Sequence, residues 1–316
     1  MPLDPVLVTG GSGFIGACVT RRLFTEGASV HALVPPASSV WRLADLLGRL
    51  PIHEIDLADG AELCRLLEDI RPSAVIHLAT HGAYEWQGDG RRILETVVRG
   101  TFELLEASAA AGVRVLVNAG SSSEYGSRRE AMRECDRIEP NSIYAVAKAA
   151  QTHLCSLAAR RGGMSIATLR LFSVYGPWEA PGRLFPTLLR RAQAGLPLEM
   201  AAPETARDFV YVDDVVDALV DLERLAGLEG QVYNLGSGVQ STLRDVVAAV
   251  QAAVGRSCEV RWGAMPSRQW DTDRWQADAT KARELLGWTA RRSLPEGVSL
   301  MARWMEEHGA LYDAAH

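Results

Sequence analysis

Short apolar runs alternate with amphipathic stretches through the first half of the chain. "PVLVTG" (5–10) reads as a strand, and "FIGACVTRRLFTEG" (14–27) as a helix stopped by Gly27. "SVHALV" (29–34) and "IHEIDL" (52–57) are the second and third strands, and "GAELCRLLEDI" (60–70) is a helix. "SAVIHLAT" (73–80) is a fourth strand, followed by a long helix over 90–111 and the strand "RVLVNAG" (114–120). A helix over 143–161 and the strand "SIATLRL" (165–171) complete the series. These strands are apolar throughout rather than alternating, and helices separate most of them. That pattern predicts a parallel sheet buried on both faces. The fold class is therefore α/β, a doubly wound Rossmann-type sheet with its ligand at the carboxyl ends of the strands.

The rhythm breaks after residue 176. "YGPWEAPGRLFP" (175–186) is rich in proline and glycine, and "RDFVYVDDVVDALVDLER" (207–224) and "QVYNLGSG" (231–238) follow. The expected division is a dinucleotide-binding domain of residues 1–176 and 208–236. A smaller C-terminal α/β domain would comprise 177–207 and 237–316.

Composition narrows the class. The chain has 316 residues, 47% of them hydrophobic, enough for one large domain or two smaller ones. A net charge of −6 lacks the basic field of a nucleic-acid binder. No apolar run reaches the roughly 18 residues of a membrane span, and no signal peptide is read at the N-terminus. The five cysteines (18, 64, 135, 155, 258) form no CxxC and no Cys/His cluster. Neither a disulfide framework nor a metal site is expected, and the chain reads as a cytoplasmic protein.

"TGGSGFIG" (9–16) joins the first strand to the first helix and contains Gly10, Gly13 and Gly16. Glycines there allow a tight turn and close approach of a pyrophosphate to the N–H groups of the helix start. The expected contacts run through Gly10, Gly13, Phe14, Ile15 and Gly16. NAD-binding versions usually end the second strand in an acid that holds the ribose 2′-OH. Here Val34 and Pro35 stand in its place, and no acid follows before Asp45. "ASSVWR" offers Ser38, Ser39 and Arg42, which suit a 2′-phosphate, although a plain solvated loop would look the same. NADP(H) is therefore expected over NAD(H).

"YAVAK" places Tyr144 and Lys148 four residues apart, on one face of a helix. Of 33 basic residues only Lys148 and Lys281 are lysines. With seven tyrosines, such a spacing arises by chance roughly 4% of the time. A lysine ammonium beside a phenol lowers its pKa and equips it for proton transfer. "NAGSSSEYGS" (118–127) ends a central strand, where a serine hydroxyl would meet a substrate carbonyl.

TGGxGFIG, the strand-end serines, YxxxK, "LRLFSVYGP" (169–177), "RDFVYVDD" (207–214) and "YNLGSG" (233–238) occur together in this order. The set resembles the extended short-chain dehydrogenase/reductase family of nucleotide-sugar epimerases, dehydratases and 4-ketoreductases. The resemblance implies a catalytic trio of Ser121, Tyr144 and Lys148, with Ser122 at the alternative register. It implies cofactor contacts at Asp56, Leu57, Ala79 and Thr80, and at Tyr144 and Lys148. It also implies that Arg207 and Arg268 clamp a sugar-nucleotide diphosphate. His81, Ser123 and Ser173 are further candidates for substrate contact, Ser173 standing where many relatives have Asn. The smaller domain then becomes the nucleotide-sugar substrate domain.

Three chemistries share such a scaffold. The acids a 4,6-dehydratase needs beside its catalytic hydroxyl are missing, because Ser122 and Ser123 stand there. The expected activity is reduction of the 4-keto group of a nucleoside-diphosphate (6-deoxy)hexose. A 4-epimerase with retained NAD is the alternative, and a non-catalytic NADP sensor is less favoured because Tyr144 and Lys148 are both present. The apolar helices over 90–111 and 143–161 further imply a homodimer.

Overall fold

The computed structural model describes residues 3–84, 87–228, 230–265 and 272–313. The first half contains β1 (Val6–Thr9), α1 (Phe14–Thr25), β2 (Val30–Val34), β3 (Ile52–Glu54), α2 (Gly60–Ile70) and β4 (Ala74–His77). It continues with α3 (Gly90–Leu94), α4 (Gly100–Ala110), β5 (Val115–Ser121), α5 (Ile143–Arg161) and β6 (Ser165–Leu171). The remainder contains β7 (Ser173–Tyr175), α6 (Leu184–Gln193), β8 (Leu198–Met200), β9 (Ala206–Tyr211), α7 (Val212–Val220) and α8 (Leu222–Leu225). β10 (Gln231–Leu235), β11 (Gln240–Thr242), α9 (Leu243–Val254), β12 (Val260–Trp262) and α10 (Leu294–His308) follow.

The main sheet has seven strands in the order β10-β6-β5-β4-β1-β2-β3. The pairs linking β3, β2, β1, β4, β5 and β6 are all parallel. Strand order reverses direction between β1 and β4, the switch point at which a doubly wound sheet opens a crevice. The register runs Leu7, Val75, Leu116 and Ile166 across four neighbouring strands. All four are buried in one cluster with Leu63, Leu67, Leu104 and Cys155 from the flanking helices. Burying each such side chain contributes about 1.5–3 kcal/mol. This row fixes the strands and therefore the loops that leave their carboxyl ends.

The helix read over 90–111 is interrupted. Residues Glu95–Arg99 between α3 and α4 take π-helical geometry. In that stretch the Val97 carbonyl accepts a hydrogen bond from the Thr101 hydroxyl at 2.6 Å. Such widened turns are frequent at functional sites.

Two compact units result. One is Met1–Gly126, Arg137–Leu171 and Val216–Tyr233; the other is Ser127–Asp136, Phe172–Val215 and Asn234–His316. The segment returning to the first unit is shorter than the 208–236 read from the sequence. Asp208 accounts for its later start: this fully buried carboxylate accepts hydrogen bonds from the Ser237 N–H (2.7 Å), the Gly238 N–H (3.0 Å) and the Ala277 N–H (2.9 Å). All four residues belong to the second unit. That unit also holds a three-stranded sheet β11-β9-β7 and a two-stranded sheet β12-β8. No helix of the described residues is long and apolar enough to cross a membrane.

Candidate active site

The loop after β1 is a tight turn made of glycines. Gly10 has φ +70°, and its N–H donates to the Leu33 carbonyl at 2.9 Å. Gly13 N–H returns to the Gly10 carbonyl at 2.9 Å, closing a tight turn. A Cβ on Gly16 would stand 2.0 Å from the Gly10 oxygen, and one on Gly10 would stand 2.7 Å from the Ala79 nitrogen. Neither position accepts a side chain. Gly13 caps α1 with no side-chain bond, and the first turn carries no acid. The helix therefore presents N–H groups and partial positive charge to an anion. Phe14 and Ile15 are the first residues of α1 and half-buried.

Arg42 comes to the same loop from the 3-10 turn Trp41–Leu46. It is 8% exposed, lies 4.3 Å above the Trp41 ring and donates to the Ser12 carbonyl at 3.3 Å. Ser38 faces Ser12, hydroxyl to hydroxyl, at 3.4 Å, while Ser39 is exposed. Asp45 forms an ion pair with Arg21. On the other side of the loop, Asp56 accepts from the Ala58 N–H at 3.0 Å and pairs with Arg92 at 3.1 Å. Leu57 is buried and would touch any side chain on Gly100. Ala79 N–H donates to the Thr9 hydroxyl at 3.3 Å, and Thr80 is exposed.

The end of β5 carries the serines. Ser121 caps a 3-10 turn, Ser122–Tyr125, through a capping box. Its Oγ accepts from the Ser123 N–H at 3.2 Å and lies 2.7 Å from the Ser123 Oγ. Glu124 Oε1 accepts the Ser121 N–H at 2.8 Å, and Glu124 Oε2 accepts Arg170 Nε at 2.9 Å. Both ion-pair partners are buried beneath the turn. Ser122, the alternative register, is buried, whereas Ser121 and Ser123 are half-exposed.

α5 starts at Ser142, whose side chain accepts the Ala145 N–H at 3.1 Å. Tyr144 in the first turn is half-buried, 3.3 Å from where a Cβ on Gly82 would sit. The loop carrying His81 and Gly82 thus lies against the phenol ring. Burial, then the Arg92 charge, hold the His81 imidazole below its ordinary pKa. Lys148, one turn beyond Tyr144, is 3% exposed and donates to the Ala119 carbonyl at 2.5 Å, two residues before Ser121. Burial lowers its pKa to about 8, against the opposing pull of Glu124 and Cys155.

Behind Lys148 lies a polar chain that reading the motifs did not reveal. Lys148 donates to Gln151 Oε1, and Gln151 Nε2 stands 2.9 Å from both His77 Nε2 and Thr101 Oγ1. His77 Nδ1 is 2.7 Å from Thr9 Oγ1. Burial, and then the Lys148 charge, lower the His77 pKa from 6.5 to about 3. The folded protein therefore refuses a proton that the unfolded chain accepts between those two values, so stability falls as pH falls through that window. Between about pH 7 and pH 5 this one group removes about 2 kcal/mol. Urea denaturation at the two pH values should show a smaller loss for His77→Gln by that amount. An identical loss would contradict the buried neutral imidazole.

In the second unit, Ser173 lies on β7 opposite Phe209 of β9. Arg207 on β9 stacks 5.4 Å over Trp275 and donates to the Ala206 carbonyl at 2.7 Å and the Thr272 carbonyl at 3.5 Å. Arg268 lies outside the described residues.

These features define a family. Residues 6–236 match the model of the NAD dependent epimerase/dehydratase family. The UDP-glucose 4-epimerase of Mycolicibacterium smegmatis is 32% identical over 303 residues, 93% of this chain and 96% of that one. A dTDP-6-deoxy-L-talose 4-dehydrogenase (NAD(P)(+)) of Kitasatospora kifunensis is 33% identical over 307 residues, 93% of each chain. The structure of the Thermus thermophilus UDP-glucose 4-epimerase in complex with NAD superposes with a TM-score of 0.84 at 31% identity, covering 95% of this chain and 98% of that one. The chain belongs to the NAD dependent epimerase/dehydratase family, within the extended short-chain dehydrogenases/reductases, and is built as an enzyme that works with a nicotinamide cofactor.

Proposed function

We propose that the protein reduces the 4-keto group of a nucleoside-diphosphate hexose, with NADP(H) as its cofactor. The observation that carries the catalytic part is Lys148. Its buried ammonium is tied to the end of β5 two residues before Ser121, and it lies one helical turn from Tyr144. The glycine loop fits a dinucleotide because its tight turn admits no side chain at Gly10 or Gly16 and leads straight into the uncapped N–H groups of α1. When bound, the nicotinamide supplies a hydride.

The chain's own groups then handle orientation and the proton. Ser121 donates a hydrogen bond to the sugar carbonyl, while the Glu124 contact to its N–H and the Ser123 contacts to its Oγ hold the residue in place. Tyr144 passes its phenolic proton to the oxygen that becomes the alcohol. Lys148⁺ stabilises the phenolate left behind and reaches toward the nicotinamide ribose. In this reading the first unit holds the dinucleotide. Arg207 and Arg268 hold the sugar-nucleotide diphosphate, and His81, Ser123 and Ser173 contribute to sugar contact.

The absence of an acid at the end of β2, with Arg42 beside Ser12 and Ser38, favours NADP(H). The 4-dehydrogenase relative, whose name includes NAD(P)(+), is consistent with that. A 4-epimerase that keeps NAD is the second reading, favoured by relatives named UDP-glucose 4-epimerase. The nucleotide that copurifies, followed by NADPH and NADH titrations, separates the two. The reductase reading expects an empty protein that binds NADPH more tightly. It also expects Arg42→Ala to weaken NADPH by about 10–100-fold with NADH little changed, as loss of a charge-assisted contact requires. NAD⁺ retained through dialysis would overturn it in favour of the epimerase.

The five cysteines are free, and a cytoplasmic setting belongs to the same proposal. So does a homodimer. Leu94 and Phe102 on the α3–α4 run, and Ile143, Val146 and Leu157 on α5, are each 43–53% exposed. Two copies would bury these residues. A light-scattering mass near 34.3 kDa would contradict that assembly.

A further inference from the structure

We infer that Gln151 is a positioning residue for Lys148: its carboxamide holds the ammonium against the end of β5 and is itself locked from behind by His77 and Thr101.

Hydrogen-bond logic fixes the orientation of the Gln151 amide. Lys148 carries three donors and no acceptor, so the atom of Gln151 facing it is the carbonyl oxygen. The amide nitrogen of Gln151 then points inward, where it donates to Thr101 Oγ1 at 2.9 Å and lies 2.9 Å from His77 Nε2. Thr101 is free to accept because its own hydrogen goes to the Val97 carbonyl in the π-helical turn. His77 Nε2 also lies 2.9 Å from Thr101 Oγ1, and its Nδ1 lies 2.7 Å from Thr9 Oγ1, so the imidazole is engaged at both nitrogens in either tautomer. All five side chains, Thr9, His77, Thr101, Lys148 and Gln151, are no more than 3% exposed.

The chain links the catalytic helix to the residue immediately before the glycine loop, and to β4 and α4 between them. The Gln151 amide is satisfied in one orientation only. A flipped Gln151 amide would set two donors against each other at Lys148. The rigidity matters because a lysine side chain has four rotatable bonds and must hold one position next to a phenol. Two of its three donors are committed, to Ala119 and Gln151. The third is left for the cofactor ribose and Tyr144.

The charged and titratable groups around Lys148 are few. Glu124 faces it from the 3-10 turn, already paired with Arg170 of β6. His77 faces it from β4, and Cys155 and Tyr144 from α5 itself. Glu124 is committed to Arg170 and to the Ser121 N–H, so the two close acceptors of the ammonium are neutral, the Ala119 carbonyl and the Gln151 side-chain oxygen, and only the second can be replaced by substitution. Replacing it therefore moves the lysine in a direction set by the replacement.

The experiment uses the composition of the chain. It has two lysines, Lys148 and Lys281. Labelling lysine Cε with ¹³C in a Lys281→Arg background gives one resonance, whose pH dependence is that of Lys148. Gln151→Met keeps the volume and removes the acceptor; it should lower the midpoint by about one unit from its starting value near 8. Gln151→Glu puts a carboxylate in the same place and should raise the midpoint by at least as much. The alkaline limb of kcat should follow the lysine in both variants. Packing alone would depress kcat evenly across pH without opposite displacements. Lys148 midpoints unmoved in both folded variants overturn the inference. Should Gln151→Met fail to fold, Gln151→Glu and Thr101→Val, which loosens the amide from behind, give the same decision.

The inference rests on Tyr144 and Lys148 being the acid–base pair, yet the titration needs no turnover. Displaced midpoints in a protein inactive on every sugar nucleotide would reject the functional reading and leave the role of Gln151 standing.

Discussion

Replacing Tyr144 with phenylalanine is expected to lower kcat by about 10²–10⁴-fold, the usual worth of a positioned proton donor. The substitution removes one oxygen and keeps the ring, and the ring is what packs on the Gly82 loop. Fold and dinucleotide affinity should therefore survive almost unchanged. That split distinguishes an enzyme from a protein that only senses NADP(H). Isothermal titration with the dinucleotide, alongside steady-state rates, reads both quantities on one preparation. Undiminished turnover in the variant would remove Tyr144 from the chemistry. A parallel loss of dinucleotide binding would mean that the hydroxyl serves to hold the cofactor as well as to move the proton.

The second large effect concerns stability. Glu124 and Arg170 form an ion pair at 2.9 Å with side chains 0% and 5% exposed, and Arg170 also lies 4.6 Å over the Tyr125 ring. Arg170→Met leaves the carboxylate buried without its cation, a change that costs about 3–5 kcal/mol. The double variant Arg170→Met with Glu124→Gln removes both charges and should recover most of that loss. The glutamine still offers an oxygen to the Ser121 N–H. Urea denaturation of the three variants measures the cycle. A loss below about 1 kcal/mol for the single variant would show that the pair does not act as a buried unit.

The same pair shows where reading the sequence reaches its limit. The parallel sheet was legible because its strands are apolar on both faces, and Leu7, Val75, Leu116 and Ile166 line up in register as that pattern requires. The glycine loop and the YxxxK helix were legible because their spacings are local. Glu124 carried a local signal as well: Ser-x-x-Glu is a capping box, and the structure builds one. Arg170 had none, since it meets Glu124 only through the pairing of β5 with β6. His77, Thr101 and Gln151 come from β4, α4 and α5 and converge by folding alone. Of the three, only Gln151 could have been noticed, because it lies three residues after Lys148 on one helical face. The long helix over 90–111 concealed its π-helical turn because the apolar pattern continues across it. In the second unit, the regular pattern gave way to short strands set by buried contacts such as those of Asp208, which periodicity does not report.

The proposed function stands on the transfer of a hydride onto C4 of a nucleotide-linked sugar. It is tested most directly with NADPH deuterated at the transferable position and a 4-keto-6-deoxy nucleotide sugar, the product being examined by mass and NMR. One deuterium at C4 is expected for each NADPH oxidised, with absorbance at 340 nm falling in step. A protein that binds NADPH yet transfers no deuterium to any such sugar would contradict it.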